Sequence, residues 1–346
     1  MTRPVSSDRR ADQPALVVEG LSCTIPSPDG PLRLVHDVSF TLERGRTIGI
    51  VGESGSGKSM LVRSIMGIGP KVTEVTGRAL LNGTDLLGVS RKLRRRRLGR
   101  EIAMVFQNPL TSLNPVVPIG HQIGEGMRVH LGLSRGEARD RVITLLGDVG
   151  IPSPEQRFGQ YPHQLSGGMR QRVTIAAALS GDPDVLIADE ATTALDVTVQ
   201  KQILVLLKEI QAARQMSVIM ISHDLGVVSG RTDDLLVMYS GQVVESGCTS
   251  AVFRRHSHRY TEALLRAIPR LDSEPHGTFA TIPGQPPQPT VDFIGCRFAR
   301  RCTVATEQCR TEAPPWSADP ALAHGHRCIH PSYDGEHGRA SVEVVR

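Results

Sequence analysis

The sequence predicts an α/β protein built on a mainly parallel sheet covered by helices on both faces. Three observations predict it. Short Val- and Ile-rich runs alternate with helical patterns along most of the chain, as in parallel strands joined by crossover helices. The segment GESGSGKS, Gly52 to Ser59, lies between an apolar run (TIGIV) and a helical one. Two further compact apolar runs, DVLIAD and SVIMIS, flank the helical segment VTVQKQILVLLKEIQAARQ.

In chain order, MTRPVSSDRRADQP lacks the apolar stretch of a secretory leader and reads as a polar, disordered tail over residues 1–14. ALVVEGLSCTI and LVHDVSFTLERGRTIGIVG read as strands broken by Gly and charged turns. GKSMLVRSIMGI has the apolar spacing of a helix, and EIAMVFQ is a short buried strand. From Asn108 to Arg172 the pattern turns helical, through IGHQIGEGMRVH and SRGEARDRVITLLGDVG to GGMRQRVTIAAALS. DLLVMYSGQVVESG is a hairpin turning at Ser240-Gly241. Beyond residue 250 the texture changes to a helix (HSHRYTEALLRAIPRL), a Pro-rich extended stretch (TIPGQPPQPTVDF) and a cysteine-containing segment. The expected domains are the tail, a nucleotide-binding domain over 15–250 with a helical subdomain at about 108–172, and a C-terminal extension over 251–346.

Composition bounds the function. The 346 residues are 39% hydrophobic, enough for a sizeable core. No apolar run approaches the roughly 18–20 residues that cross a bilayer, so a cytoplasmic location is expected, with any membrane crossing left to other chains. The net charge is +5, and RKLRRRRLGR, Arg91 to Arg100, holds seven basic residues. That run reads as a solvated helix face or loop, with a nucleic-acid patch as the alternative. Aromatics make up only 3% of the chain, which leaves little for base-stacking platforms. Cys23 and Cys248 are isolated, whereas Cys296, Cys302, Cys309 and Cys328 cluster. In a cytosolic chain such a cluster favours metal ligation over disulfides.

GESGSGKS fits G-x-x-x-x-G-K-[ST] in full. Gly52, Ser54, Gly55 and Gly57 let backbone N–H groups curl around phosphate oxygens, Lys58 neutralises β/γ phosphates, and the Ser59 hydroxyl suits Mg²⁺. Asp189 ends an apolar strand, where a carboxylate is costly unless it serves a cation, and Glu190 is placed to polarise an attacking water. Gln107 and His223 end other strands and are candidates for the metal or water and for the γ-phosphate. In QLSGGMRQRV, Ser166, Gly167 and Gly168 open a helix and form a second anion-binding turn. A second turn far from the first makes sense if it binds nucleotide held by another subunit.

Together LSGGMRQR, the phosphate loop, Gln107, Asp189, Glu190, TALD (Thr193 to Asp196) and His223 resemble the ATP-binding-cassette (ABC) family over residues 15–250. The resemblance implies a P-loop NTPase, RecA-like core with ABC antiparallel β and helical subdomains, plus the small cysteine-containing extension. It implies Mg²⁺–ATP held between two cassette subunits, coupling to a membrane partner through Gln107, Asp196 in the loop joining the two sites, and His223 on the γ-phosphate. FQNPLTSLNPVVPIGHQIGE, DEATTALDVTVQ, YTEALLRAIPR and IPGQPPQP…GCRFARRC are similar to ATPase subunits of dipeptide and oligopeptide importers. That likeness implies two permease subunits, a second ATPase subunit, a paralogue, and a substrate-binding protein, at the cytoplasmic face of the membrane and without nucleic acid.

Ile25 stands where the family often stacks an aromatic on adenine, and Ala191 where these importers often have proline. An aliphatic cover lacks the specific aromatic contribution of roughly 0.5–1.5 kcal/mol. The cysteine segment, C-x(5)-C-x(6)-C-x(18)-C, resembles an importer motif that in some members holds a [4Fe–4S] cluster. Zinc and free thiols remain open alternatives, with His324, His326 and His330 as substitute ligands. The alternative functions are import of nickel, glutathione or another small solute, a soluble cassette ATPase acting on nucleic acid or ribosomes, and an iron–sulfur redox sensor.

Overall fold

The computed structural model describes residues 13–191, 196–268, 281–290, 293–319 and 323–332. The described residues form two compact units, one drawn from 13–17, 41–46 and 79–219, the other from 18–40, 47–78 and 220–332.

In the first unit the strands Ile102–Val105 and Val185–Asp189 run parallel, with Ile102 opposite Val185 and Val105 opposite Ala188. Every residue of both strands is buried, which is why their sequences read as apolar runs without alternation. The helices Ile119–Leu131, Arg135–Asp148 and Gly167–Leu179 pack on one another. Their inward faces repeat at helical spacing: Ile119, Ile123 and Met127 on the first, Ala138, Val142 and Leu145 on the second, joined by Val173 and Ile175. Ser134 and Glu137 close a capping box that starts the second helix. The basic run forms the exposed helix Arg91–Arg97, capped by the Ser90 hydroxyl, with no buried residue. Its Arg91, Lys92, Arg95 and Arg96 line an open groove with Arg100, Val129 and His130.

In the second unit the strand Thr47–Val51 runs parallel to Asp234–Tyr239. The latter turns back antiparallel into Gln242–Cys248. Ser240 and Gly241, at φ 44° and 84°, make the tight turn expected of that sequence. Two short strands from the C-terminal segment extend the same side: His324–His326 pairs with Gln242–Cys248, and Ser317–Asp319 pairs with His324–His326. A Tyr239, Tyr260 and Phe298 cluster packs ring against ring at 4.5 to 5.4 Å between centroids. Among the described residues no helix is long and apolar enough to cross a membrane.

Candidate nucleotide site

The phosphate loop joins the strand Thr47–Val51 to the helix Lys58–Met66. Gly52 and Gly57 are required by geometry. Both have left-handed φ, 153° and 99°, and a Cβ would lie 2.1 Å from the Met238 carbonyl oxygen or 2.5 Å from that of Leu34. Ser54 and Gly55 are exposed at the tip, and Ser59 is half-buried. Lys58 is only 4% exposed. Its ammonium donates to the carbonyl oxygens of Gly52, at 2.7 Å, and Glu53, at 2.9 Å. The loop's own carbonyls therefore hold the cation at the helix N-terminus, where backbone donors and the helix dipole favour an anion.

The strand Val185–Asp189 delivers Asp189 fully buried among apolar neighbours. Glu190 follows with φ 47°, a left-handed conformation that a β-carbon disfavours. Gln107 lies just past the strand Ile102–Val105, and its amide donates to Glu190 Oε2 at 2.8 Å. These two sequence-predicted residues are thus brought into contact, with the amide holding one carboxylate oxygen. Ser166 is the N-cap of the helix Gly167–Leu179, its hydroxyl accepting from the Met169 N–H at 3.3 Å. Ser166 and Gly167 are exposed. Gly168 is half-buried, and a Cβ there would lie 2.9 Å from Val199 Cγ1. Asp196 caps the helix Val197–Arg214 by accepting from the Val199 N–H. Thr193 to Leu195 of the TALD segment lie outside the described residues. His223 is exposed one residue beyond the strand Ser217–Ser222, and Ile25 is half-buried at the end of Leu16–Ile25.

Two residues the sequence reading passed over join the phosphate loop. The Glu53 N–H donates to the Tyr260 hydroxyl at 2.8 Å, and the Glu53 carboxylate takes a two-pronged ion pair from Arg301, at 2.6 and 2.9 Å. The one sequence signal was a charged residue inside a glycine loop.

Cys296, Cys302, Cys309 and Cys328 line one cavity together with His330. Burial pushes the Cys296 thiol up to about 11, helped by the neighbouring sulfurs, and burial also raises Cys302 and Cys328. The sulfur donor set suits a thiophilic cation, which would bring such thiols down again. The cavity, about 20 Å³, has room for one water-sized guest. Among the described residues no group of three or more His, Cys, Asp or Glu side chains is arranged to hold a metal ion. The [4Fe–4S] cluster and the zinc alternative therefore find no support in this arrangement. His324, a suggested substitute ligand, is engaged elsewhere: its Nε2 lies 2.7 Å from the Glu245 carboxylate. That carboxylate is fully buried. Burial alone would raise its pKa, but hydrogen bonds from His324 and from the Ser257 and His258 N–H groups outweigh it and hold it low.

Comparison with known proteins decides the family. Residues 35–193 match the family model described as ABC transporter, and residues 244–309 match that of the oligopeptide/dipeptide transporter, C-terminal region. The chain is 45% identical to the dipeptide transport ATP-binding protein DppD of Escherichia coli over 322 residues, 92% of this chain and 97% of the relative. The chain belongs to the ABC transporter ATP-binding family. It is 49% identical over 302 residues to a Brucella abortus protein provisionally named a peptide import ATP-binding protein, covering 87% of this chain and 91% of the relative. The cassette fold is shared with cbiO1 from Clostridium perfringens, part of the transporter complex cbiONQ, at TM-score 0.58 and 30% identity over 70% of this chain and 91% of that one. It is also shared with the dimeric cassette MJ0796, at TM-score 0.60 and 23% identity over 68% of this chain and 98% of that one. As a member of the ABC family the chain is an ATPase.

Proposed function

We propose that this ABC ATPase is the energy-coupling subunit of an importer for dipeptides and oligopeptides, acting through separate membrane permease subunits at the cytoplasmic face. The single observation that supports it best is likeness along nearly the whole chain to a dipeptide transport ATP-binding protein, C-terminal region included. In this reading the partners are two permeases, a second ATPase subunit, a paralogue, and a substrate-binding protein.

The residue roles follow from their chemistry. Gly52, Ser54, Gly55 and Gly57 turn N–H groups toward the triphosphate of ATP, Lys58 neutralises its β/γ oxygens, and Ile25 covers adenine. Ser59, Gln107 and Asp189 would hold Mg²⁺, whose charge would offset that of the transferred phosphoryl group. Glu190 takes a proton from the attacking water, its Oε2 held in place by the Gln107 amide. His223 donates to the γ-phosphate. Ser166, Gly167 and Gly168 take the γ-phosphate of nucleotide held by the second ATPase subunit, and Asp196 lies in the loop joining the two sites. Binding then closes the pair of subunits, and hydrolysis reopens it.

The test is reconstitution with the permease pair and the binding protein in vesicles. ATP-dependent uptake of a labelled dipeptide is the expected result. Uptake of nickel or glutathione but not peptide would reject the substrate class. Co-purification with rRNA or DNA in place of permeases would favour the soluble cassette ATPase. In a second reading, the four cysteines that line one cavity of the C-terminal segment close on a structural metal when it binds, an arrangement they do not have without it. Optical absorption of anaerobically purified protein separates an iron–sulfur cluster from zinc, and metal analysis separates both from free thiols.

A further inference from the structure

We infer that Arg301, in the C-terminal segment, is a positioning residue of the phosphate loop: it fixes Glu53 and masks the one negative charge that the GESGSGKS loop carries. The inference rests on Gly52 to Ser59 being the triphosphate receptor and assigns a new residue to it.

The geometry is specific. Arg301 and Glu53 are 248 residues apart in sequence and meet as a fork on a fork, Nη1 to Oε2 at 2.6 Å and Nη2 to Oε1 at 2.9 Å. The guanidinium side chain is only 3% exposed, and the carboxylate side chain 27%. The remaining Arg301 donors are also spent. Nε donates to the Pro283 carbonyl at 2.8 Å, Nη2 also reaches that of Ile282 at 3.1 Å, and Nη1 reaches the Tyr239 hydroxyl at 3.2 Å. The Pro-rich stretch therefore holds the arginine, and the arginine holds the loop. Glu53 is gripped at its other end too, by the Tyr260 hydroxyl on its N–H. Its carbonyl in turn receives the Lys58 ammonium. A continuous line of directed bonds thus runs from the Pro-rich stretch through Arg301 and Glu53 to the lysine that meets phosphate.

Charge assigns Arg301 the same role. A loop that wraps a triphosphate is a poor place for a carboxylate, because like charges repel strongly where water is scarce. Arg301 neutralises that carboxylate in place. An ion pair serving only to stabilise the fold would make a different prediction: its loss would lower the melting temperature without a selective loss of ATP affinity, and neutralising Glu53 afterwards would not restore binding.

The experiment is equilibrium titration of the full chain with a fluorescent ATP analogue, displaced by Mg²⁺–ATP. Arg301→Gln unmasks the Glu53 charge, and the Kd for ATP is expected to rise about tenfold. Adding Glu53→Gln removes the unmasked charge, and the double variant is expected to return to within about threefold of the parent. A folded Arg301→Gln protein that binds ATP within about twofold of the parent, or a double variant weaker than the single one, overturns the inference. Should Arg301→Gln fail to fold, Arg301→Lys takes its place. It keeps the charge and loses the fork, so the Kd should rise about threefold, and an unchanged Kd overturns the inference. A parent chain that binds no ATP would instead overturn the reading of Gly52 to Ser59 as the receptor.

Discussion

The phosphate loop and the Ser166 turn are both glycine turns that open a helix, and they are built in opposite ways. In the first, the N-cap is Gly57, with no side-chain cap. Its Gly52 and Gly57 are wedged against backbone carbonyls, its lysine is buried, and Glu53 is tied down from both sides. In the second, Ser166 caps the helix with its own hydroxyl, and Ser166 and Gly167 face outward. In the proposed function the first is a finished receptor whose donors are aimed by the packing around it. The second is a presented surface, complete by itself as a helix start but not as a pocket. That asymmetry is what the proposed two-subunit grip on a triphosphate requires, since only one of the two surfaces has to recognise nucleotide before the other arrives.

The largest effect should come from emptying the finished receptor. Lys58→Ala is expected to weaken ATP binding at least about a hundredfold by titration of the full chain, and retained affinity would remove the basis for the contrast. Next comes chemistry rather than binding. Glu190→Gln is expected to keep ATP affinity and lower phosphate release in the assembled complex at least about tenfold, and normal turnover would reject Glu190 as the base. The presented turn should behave differently from both. Ser166→Ala should lower hydrolysis several-fold in the complex while ATP affinity of the isolated chain stays within about twofold, with about 1 kcal/mol of stability lost with the cap. A large loss of affinity in the isolated chain would make the two turns alike.

The smallest effect concerns the ground under the receptor. His258 accepts from the Tyr260 N–H, and Tyr260 holds Glu53. Burial holds the His258 pKa at about 4, against the pull of Glu245. The unfolded chain therefore binds a proton that the folded chain refuses, between about pH 6.5 and 4. Stability from this group is full above pH 6.5 and falls with pH through that window, by about 1 kcal/mol at pH 5.5. Melting temperatures from pH 7.5 to 5.5 should show the decline, and His258→Asn, which keeps an acceptor at the cap, should make it shallower, with the half-buried His36, His130, His256 and His326 supplying the rest.

Much of this contrast was legible in the sequence. Uninterrupted apolar runs gave the buried parallel strands, Ser240-Gly241 gave the hairpin, the Gly52 to Ser59 loop announced itself by its flanking strand and helix, and the second turn by a Ser-Gly-Gly run opening a helix. What stayed hidden were partnerships between charged residues far apart in the chain. Nothing in the spacing links Glu53 to Arg301. Glu245 was hidden for another reason: a register shift between Val243 and Glu245 breaks the strand's alternation, and a residue type usually found at the surface is enclosed. The four cysteines were visible as a cluster, but their wide spacing did not reveal that they share a single small cavity. Gln107 was a candidate from its place at a strand end and from the family resemblance, and its contact with Glu190 is what the structure adds.

The strand His324–His326 lies along Gln242–Cys248 through the pairs Glu245–His326, Ser246–Gly325 and Gly247–His324. Shortening the polypeptide to its cassette would strip that cover and leave a row of N–H and C=O groups facing outward beside an abandoned buried carboxylate. Bare margins of this sort recruit other copies, so a trimmed version should precipitate or self-associate while the complete molecule stays dispersed.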